Sequence, residues 1–261
     1  MRFGIRTEWT TGTAGTAGET AAWTFAMDER WDGTSRLIIA LHGHGTQDNT
    51  GPLVFAQNTS SGSAAMALAR SGRYVACSIQ ANGAASWSKP SVMTAINNAV
   101  TAARTRGVKT GKYGLLGWSM GGLETANQIK RDSANIAAAW TWAPALDMDY
   151  NYSTSGHTPV ANNATWTTEI NTAFGGSTAA QFAGYNPTAD FASYRALGVP
   201  WKVCHATDDG TVPQSVSTGF VTAVNDASIT MRTPDITGDH TNLFANVPDA
   251  EVVAFFDSAS W

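Results

Sequence analysis

The chain has 261 residues and a formal net charge of −4, with 43% hydrophobic and 14% charged side chains. This length is enough for one α/β domain with a large buried core, and we expect a single domain over residues 1–261. The acidic balance, together with the lack of any run of Lys and Arg, argues against a nucleic-acid-binding protein.

Membrane and secretion signals are not evident in the sequence. No apolar run reaches the roughly 18 residues of a transmembrane helix. Residues 1–8 lack the apolar stretch of a secretory signal, which leaves a cytoplasmic and a virion-associated location both open. Cys77 and Cys204 lie in apolar, strand-like stretches and are expected to be buried free thiols. Few charges, many Trp and little Lys are typical of a GC-rich coding sequence and suggest an actinobacterial or actinophage source.

An initial hairpin is followed by strands that alternate with helices, which predicts a mainly parallel sheet with helices on both faces. The predicted strands are residues 2–9, 20–28, 36–41, 73–79, 112–116, 136–142, 200–206 and 228–233. The predicted helices are residues 63–70, 90–107, 123–129 and 214–224, and a closing helix with Pro248 near its first turn. Loops are predicted at 10–18, 46–60 and 80–90.

Residues 117–122, Gly-Trp-Ser-Met-Gly-Gly, join a predicted strand to a predicted helix. Gly-x-Ser-x-Gly in this position is typical of a nucleophile elbow, a sharp turn that exposes the serine hydroxyl. The serine of such a turn has a strained backbone, so the residues two positions away must lack a Cβ. We therefore predict that Ser119 is a nucleophile.

A serine nucleophile needs a base to take its proton and an acid to orient that base. His240 follows the last predicted strand, in a loop from which its side chain can reach the elbow. Asp209 begins an Asp-x-x-Val-Pro stretch after the preceding strand and is the predicted acid, with Asp208 as the alternative. The chain order of Ser119, Asp209 and His240 is the one expected with a nucleophile elbow.

Two backbone N–H groups are predicted to form an oxyanion hole, those of Met120 and His44. The spacing of His42 and His44 is also compatible with a metal site. No Asp, Glu or Cys joins them in metal-ligand spacing, so we expect no metal. A structural role is expected for His205, and a surface or pocket role for His157.

Four motifs together resemble those of the α/β-hydrolase superfamily. They are His42-Gly43-His44-Gly45, the elbow at 117–122, Asp209-Gly210-Thr211-Val212-Pro213 and Gly238-Asp239-His240. The Ser-Met-Gly-Gly elbow and Trp87 are most similar to the branch of esterase D, feruloyl esterases and polyhydroxyalkanoate depolymerases. The resemblance covers residues 20–145 and 197–256, and implies an eight-stranded sheet, a Ser-His-Asp triad and no cofactor. A weaker resemblance is to actinobacteriophage esterases that attack host envelope lipids.

Residues 146–196 are predicted to form a cap or lid inserted after the sixth strand. The aromatic residues in this insertion are scattered among Asn and Thr, which fits either a small helical cap with its own core or the wall of an acyl or sugar pocket. Trp87, Tyr150 and Tyr152 are the predicted substrate contacts, whereas Trp118 is expected to pack behind the elbow. The lack of an apolar helical face disfavours a triglyceride lipase.

The predicted function is hydrolysis of a carboxylic ester through an acyl-enzyme, with a small-molecule or lipid ester as partner. Lipid or acylated-sugar esters of an actinobacterial envelope are candidate substrates. The alternatives are an acyltransferase with the same triad and a non-catalytic binding module on a hydrolase fold. Neutral to mildly alkaline pH should favour activity, because His240 must be uncharged to act as a base.

Overall fold

The computed structural model describes residues 5–13, 20–29, 31–45, 60–81, 85–152, 163–176 and 179–261. The strands are β1 (Ile5–Thr13), β2 (Thr20–Asp28), β3 (Arg36–Leu41), β4 (Tyr74–Ala81), β5 (Tyr113–Trp118), β6 (Ile136–Trp142), β7 (Trp201–Cys204) and β8 (Ile229–Met231). They form one eight-stranded sheet in the order β1-β2-β4-β3-β5-β6-β7-β8. β2 pairs antiparallel with β1 and β4, and every other neighbouring pair is parallel.

Helices cover both faces of this sheet, as predicted. The α-helices of the described residues are α1 (Ser60–Arg70), α2 (Pro90–Thr105), α3 (Met120–Asp132), α4 (Met148–Tyr152), α5 (Asn163–Phe174), α6 (Gln214–Val224) and α7 (Asp249–Asp257). Short 3₁₀ helices lie at Ser133–Asn135, Ala179–Tyr185, Phe191–Tyr194 and Leu243–Asn246. Side chains of α2, α3 and α6 share one buried cluster, and those of α1 and α7 share another.

β3 lies in the middle of the sheet, and its side chains alternate between the two layers. Leu37, Ile39 and Leu41 belong to the cluster of α2, α3 and α6, while Ile38 and Ala40 belong to that of α1 and α7. Full burial of one aliphatic side chain stabilises a fold by about 1.5–3 kcal/mol, so both faces of a central strand favour apolar residues. This is why the strand is recognisable as a continuous apolar run.

Several predicted boundaries differ from the observed ones. Residues 10–13 belong to β1, not to a loop, because they pair with residues 20–23 of β2. The strands predicted at 200–206 and 228–233 are shorter in the structure. The predicted loop at 46–60 lies outside the described residues except for Ser60, which begins α1. Cys77 and Cys204 are buried and free, with β3, β5 and β6 between their strands.

In its described part, the connection between β6 and β7, residues 143–200, contains α4, α5 and the 3₁₀ helices Ala179–Tyr185 and Phe191–Tyr194. Its side chains Trp166, Ile170 and Phe182 pack in one cluster with Trp87, Met120 and Leu123, which belong to the main domain. The connection therefore packs directly behind the start of α3. His157 lies outside the described residues, and the role of this connection as a lid stays a prediction.

Candidate active site

Three predicted site residues meet at the carboxyl edge of the parallel strands. Ser119 follows β5, Asp209 follows β7 and His240 follows β8. The Nε2 atom of His240 lies 2.9 Å from the Ser119 Oγ, and its Nδ1 atom lies 2.7 Å from the Asp209 Oδ2. A serine hydroxyl, an imidazole and a carboxylate are thus joined in one continuous line of hydrogen bonds.

The turn that presents Ser119 is strained, and it is held in place by backbone bonds. The φ angle of Ser119 is 53°, in the left-handed region that disfavours residues with a Cβ. Its N–H donates to the Trp142 carbonyl at 2.9 Å, and its own carbonyl accepts from Ala145 at 3.0 Å. A Cβ on Gly117 would lie 2.4 Å from the Gly121 oxygen, and one on Gly121 would lie 2.4 Å from the Leu41 oxygen. Both positions therefore require glycine, as the motif indicated.

Asp209 is buried, whereas the neighbouring Asp208 is exposed. The Oδ1 atom of Asp209 accepts the N–H groups of Thr211 and Val212 at 2.8 and 2.9 Å. Burial by itself raises the pKa of Asp209, but hydrogen bonds from His205, from His240 and from the Val212 backbone outweigh it and hold the pKa well below its ordinary value. The carboxylate is therefore ionised when it faces His240.

His205 lies against the same carboxylate. Its Nε2 atom is 2.7 Å from the Val212 carbonyl and 3.2 Å from the Asp209 Oδ2, so this nitrogen carries the proton. Its Nδ1 atom accepts from the Ser217 hydroxyl at 2.7 Å. The sequence predicted a structural role for His205 but did not identify the residue that it contacts. Its position at a strand end, four residues before Asp209, is the signal that could have indicated the contact.

Both predicted oxyanion donors have N–H groups without an acceptor in the described part of the chain. Met120 is the first residue of α3, where an N–H has no partner within the helix. His44 follows Gly43, whose Cα packs so closely on Trp118 that a Cβ would lie 2.6 Å from the ring. The indole of Trp118 also contacts the loop that carries His240, because its Nε1 donates to the His240 carbonyl at 3.2 Å.

The predicted substrate contacts occupy different surroundings. Tyr150 is buried, and its pKa is raised by burial and by the negative charges of Asp209 and Asp147. Tyr152 packs on Phe182, with ring centroids 5.2 Å apart. Trp87 is only 1% exposed and belongs to the cluster behind α3. Substrate binding by these residues stays a prediction.

The two histidines considered for a metal are engaged in other contacts. The Nδ1 atom of His42 lies 2.8 Å from the Gly43 carbonyl, and the Nε2 atom of His44 lies 2.7 Å from the Glu169 Oε2. Among the described residues, no group of three or more His, Cys, Asp and Glu side chains is arranged to hold a metal ion. Within the same residues, no helix is both long and apolar enough to cross a membrane.

A buried acid in the helix that follows Ser119 was not predicted from the sequence. Glu124 of α3 is 1% exposed and shares a short hydrogen bond with the Ser86 hydroxyl. Burial raises the pKa of Glu124 to about 8, against the opposing effect of the Ser86 bond. Nothing in its local sequence predicts this burial, because a glutamate in a helix is almost never fully buried without a partner.

Glu124→Gln is expected to reduce the pH dependence of stability. The folded-state pKa is raised to about 8, above the value of about 4.3 for an exposed glutamate. In the wild type, protonated Glu124 therefore contributes its full stability below about pH 4, and this stability is lost as pH rises through about 8. Glutamine does not titrate, so the variant should not lose this stability. Between about pH 4 and pH 8, the free energy of unfolding of the wild type should fall by on the order of a few kcal/mol relative to that of the variant.

Urea unfolding at several pH values from about 5 to about 8.5 measures this difference. Glu29→Gln, at an exposed position, is the matched control and should follow the wild type. Parallel curves for the wild type and Glu124→Gln would show that Glu124 does not titrate in this range.

Comparison with known proteins identifies the fold. No family model matches the chain, and no curated protein matches it. An S-formylglutathione hydrolase from Agrobacterium tumefaciens superposes with a TM-score of 0.71 at 10% identity, covering 100% of this chain and 98% of that one. A proposed dipeptidyl aminopeptidase IV from Bacteroides ovatus superposes with a TM-score of 0.67 at 16% identity, covering 99% of this chain and 36% of that one.

This chain thus spans about a third of the length of the Bacteroides protein. The resemblance to actinobacteriophage esterases gains no support from these comparisons. Both solved structures superpose on nearly the whole of this chain. The chain therefore has the α/β-hydrolase fold that its motifs predicted.

Proposed function

We propose that this protein is a serine hydrolase of carboxylic esters that needs no cofactor. The observation that carries the proposal is the line of hydrogen bonds from the Ser119 hydroxyl through His240 to the buried Asp209, at 2.9 and 2.7 Å. This arrangement is the one in which an imidazole can remove the serine proton while a carboxylate holds its tautomer.

In the proposed reaction, the Ser119 Oγ attacks the ester carbonyl carbon and His240 Nε2 takes the hydroxyl proton. Asp209 accepts the Nδ1–H of His240 and stabilises the imidazolium that forms. The N–H groups of Met120 and His44 stabilise the negative oxygen of the tetrahedral intermediate. His240 then returns the proton to the departing alcohol, and a water molecule activated by His240 hydrolyses the acyl-enzyme.

The neighbour that matches nearly end to end is described as an S-formylglutathione hydrolase, which supports acyl transfer to water as the reaction class. The other is described as a dipeptidyl aminopeptidase, so the fold alone does not select the bond that is cleaved. Esters are proposed because the Ser-Met-Gly-Gly elbow resembles that of esterases. Acylated sugars or lipids of an actinobacterial envelope are the proposed natural substrates.

The test is turnover of p-nitrophenyl esters of increasing chain length, with extracted actinobacterial envelope lipids assayed alongside. Preference for acetate or butyrate would indicate a small pocket, and preference for long chains or release of acid from the lipids would indicate an envelope-lipid esterase. Added alcohols that raise the yield of new ester over acid would indicate an acyltransferase. An absence of turnover, together with no labelling of Ser119 by a fluorophosphonate, would exclude the proposed function.

A further inference from the structure

A carboxylate of the β6–β7 connection bridges two segments of the main domain. The Oε2 atom of Glu169, on α5, lies 2.7 Å from the Nε2 of His44 and 3.0 Å from the Nε1 of Trp87. Because a carboxylate oxygen is an acceptor, both ring nitrogens donate to it. Glu169 thus joins the loop after β3 to the loop before α2.

The imidazole of His44 is enclosed on two sides by indole rings. Its centroid lies 5.4 Å from that of Trp87 and 5.8 Å from that of Trp166, which is one turn before Glu169 on α5. The two indoles also contact each other, with centroids 5.3 Å apart. One side of this enclosure comes from the main domain, and the other comes from α5 together with the carboxylate of Glu169.

The Trp87 side of the bridge is held firmly to α3. Trp87 and Ser88 have φ angles of 45° and 62°, which are unfavourable unless the surroundings enforce them. Ser88 accepts from the Asn127 side chain at 3.0 Å, and the Trp87 N–H points to the Met120 sulfur at 3.3 Å. The indole N–H is therefore a fixed donor to which Glu169 can be anchored.

The His44 side is different, because His44 stands between Gly43 and Gly45. Glycine loses more conformational freedom on ordering than any other residue. Gly45 has a φ of 70°, and in the described part of the chain no heavy atom would lie within 4 Å of a Cβ there. The imidazole of His44 is the side chain that connects this turn to α5, and Glu169 accepts its hydrogen bond.

We propose that Glu169 is a positioning residue for the oxyanion hole. By fixing the imidazole of His44, it sets the direction of the His44 backbone N–H toward the oxygen of the tetrahedral intermediate. Docking of α5 and completion of the oxyanion hole are then one event. This inference rests on the proposed function, and it assigns to the β6–β7 connection a part in catalysis that does not require contact with the substrate.

The test compares Glu169→Ala, His44→Ala and the double variant with the wild type on p-nitrophenyl butyrate. His44→Ala keeps the backbone N–H and the bond between Glu169 and Trp87, so it releases the turn without undocking α5. Each single variant should lower kcat by about ten- to a hundredfold with little change in KM, since an oxyanion donor acts on the transition state. The double variant should lose no more than either single variant, because both remove the same contact.

A trifluoromethyl ketone inhibitor supplies a second readout. Its adduct with the serine carries a negative oxygen like that of the intermediate, so its inhibition constant should rise by the same factor as kcat falls. Thr168→Ala, at an exposed position on the same helix, is the matched control and should match the wild type in both measurements. Melting temperatures of all variants separate this effect from unfolding.

Unchanged kcat in either single variant, multiplied losses in the double variant, or a rise in KM alone would overturn the role of Glu169. If Glu169→Ala does not fold, unchanged kcat or a rise in KM alone in His44→Ala would overturn the role. A wild type that hydrolyses no ester would instead overturn the proposed function and this role with it. An active wild type with insensitive variants would overturn the role alone.

Discussion

Ser119→Ala should lower kcat/KM for p-nitrophenyl esters by about 10⁴- to 10⁶-fold. The variant lacks the oxygen that attacks the carbonyl carbon, and His240 then has no hydroxyl proton to accept at 2.9 Å. The remaining activity would come from the oxyanion hole and substrate binding. The fold should be preserved, because the turn at Ser119 is held by backbone hydrogen bonds to Trp142 and Ala145, which alanine keeps.

Steady-state kinetics and fluorophosphonate labelling with mass spectrometry measure this prediction. Ser215→Ala, at an exposed position on α6, is the matched control and should retain wild-type rates and labelling. Circular dichroism should be the same for all three proteins. Wild-type turnover by Ser119→Ala, or a fluorophosphonate adduct on another residue, would mean that the nucleophile lies elsewhere.

Asp209→Asn should lower kcat by about 10³- to 10⁴-fold. The asparagine cannot offer the negative charge that stabilises the imidazolium, and its amide can turn an N–H toward His240 and select the wrong tautomer. The same change removes the charge that the N–H groups of Thr211 and Val212 and the ring of His205 stabilise. Some loss of stability should therefore accompany the loss of rate.

Asp208→Asn is the matched control, because it makes the same chemical change one residue earlier at an exposed position. It should leave kcat within about twofold of the wild type and the melting temperature nearly unchanged. Equal rate losses in the two variants, or a larger loss in Asp208→Asn, would show that the acid has been misassigned. Rates measured at saturating substrate separate this effect from substrate binding.

The two adjacent aspartates illustrate where local sequence stops being decisive. The Asp-x-x-Val-Pro spacing favoured Asp209, but both residues follow the same strand and both carry a carboxylate. The structure separates them by burial, since Asp209 is 7% exposed and Asp208 is exposed. The burial of Asp209 depends on contacts with His240 and His205, and His240 is 31 positions away in the sequence.

Strand prediction shows the same division. The strands Arg36–Leu41 and Ile136–Trp142 have the predicted bounds, because an apolar run buried on both faces is distinct from its surroundings. Residues 10–13 were predicted as a loop because they are polar and include glycine. They extend β1 because their partners in β2 lie in register across the hairpin.

The sequence by itself determined the mainly parallel sheet, the glycine-flanked turn at Ser119 and the chain order of Ser119, Asp209 and His240. These features depend on short motifs and on the periodicity of apolar residues, which are local properties of the chain. Only the tertiary structure decided which buried and partly buried polar groups contact one another: His205 with Asp209, Ser86 with Glu124, and Glu169 with His44. His44 and Glu169 are 125 positions apart, and their contact arises only when α5 packs against the loops after β3 and before α2.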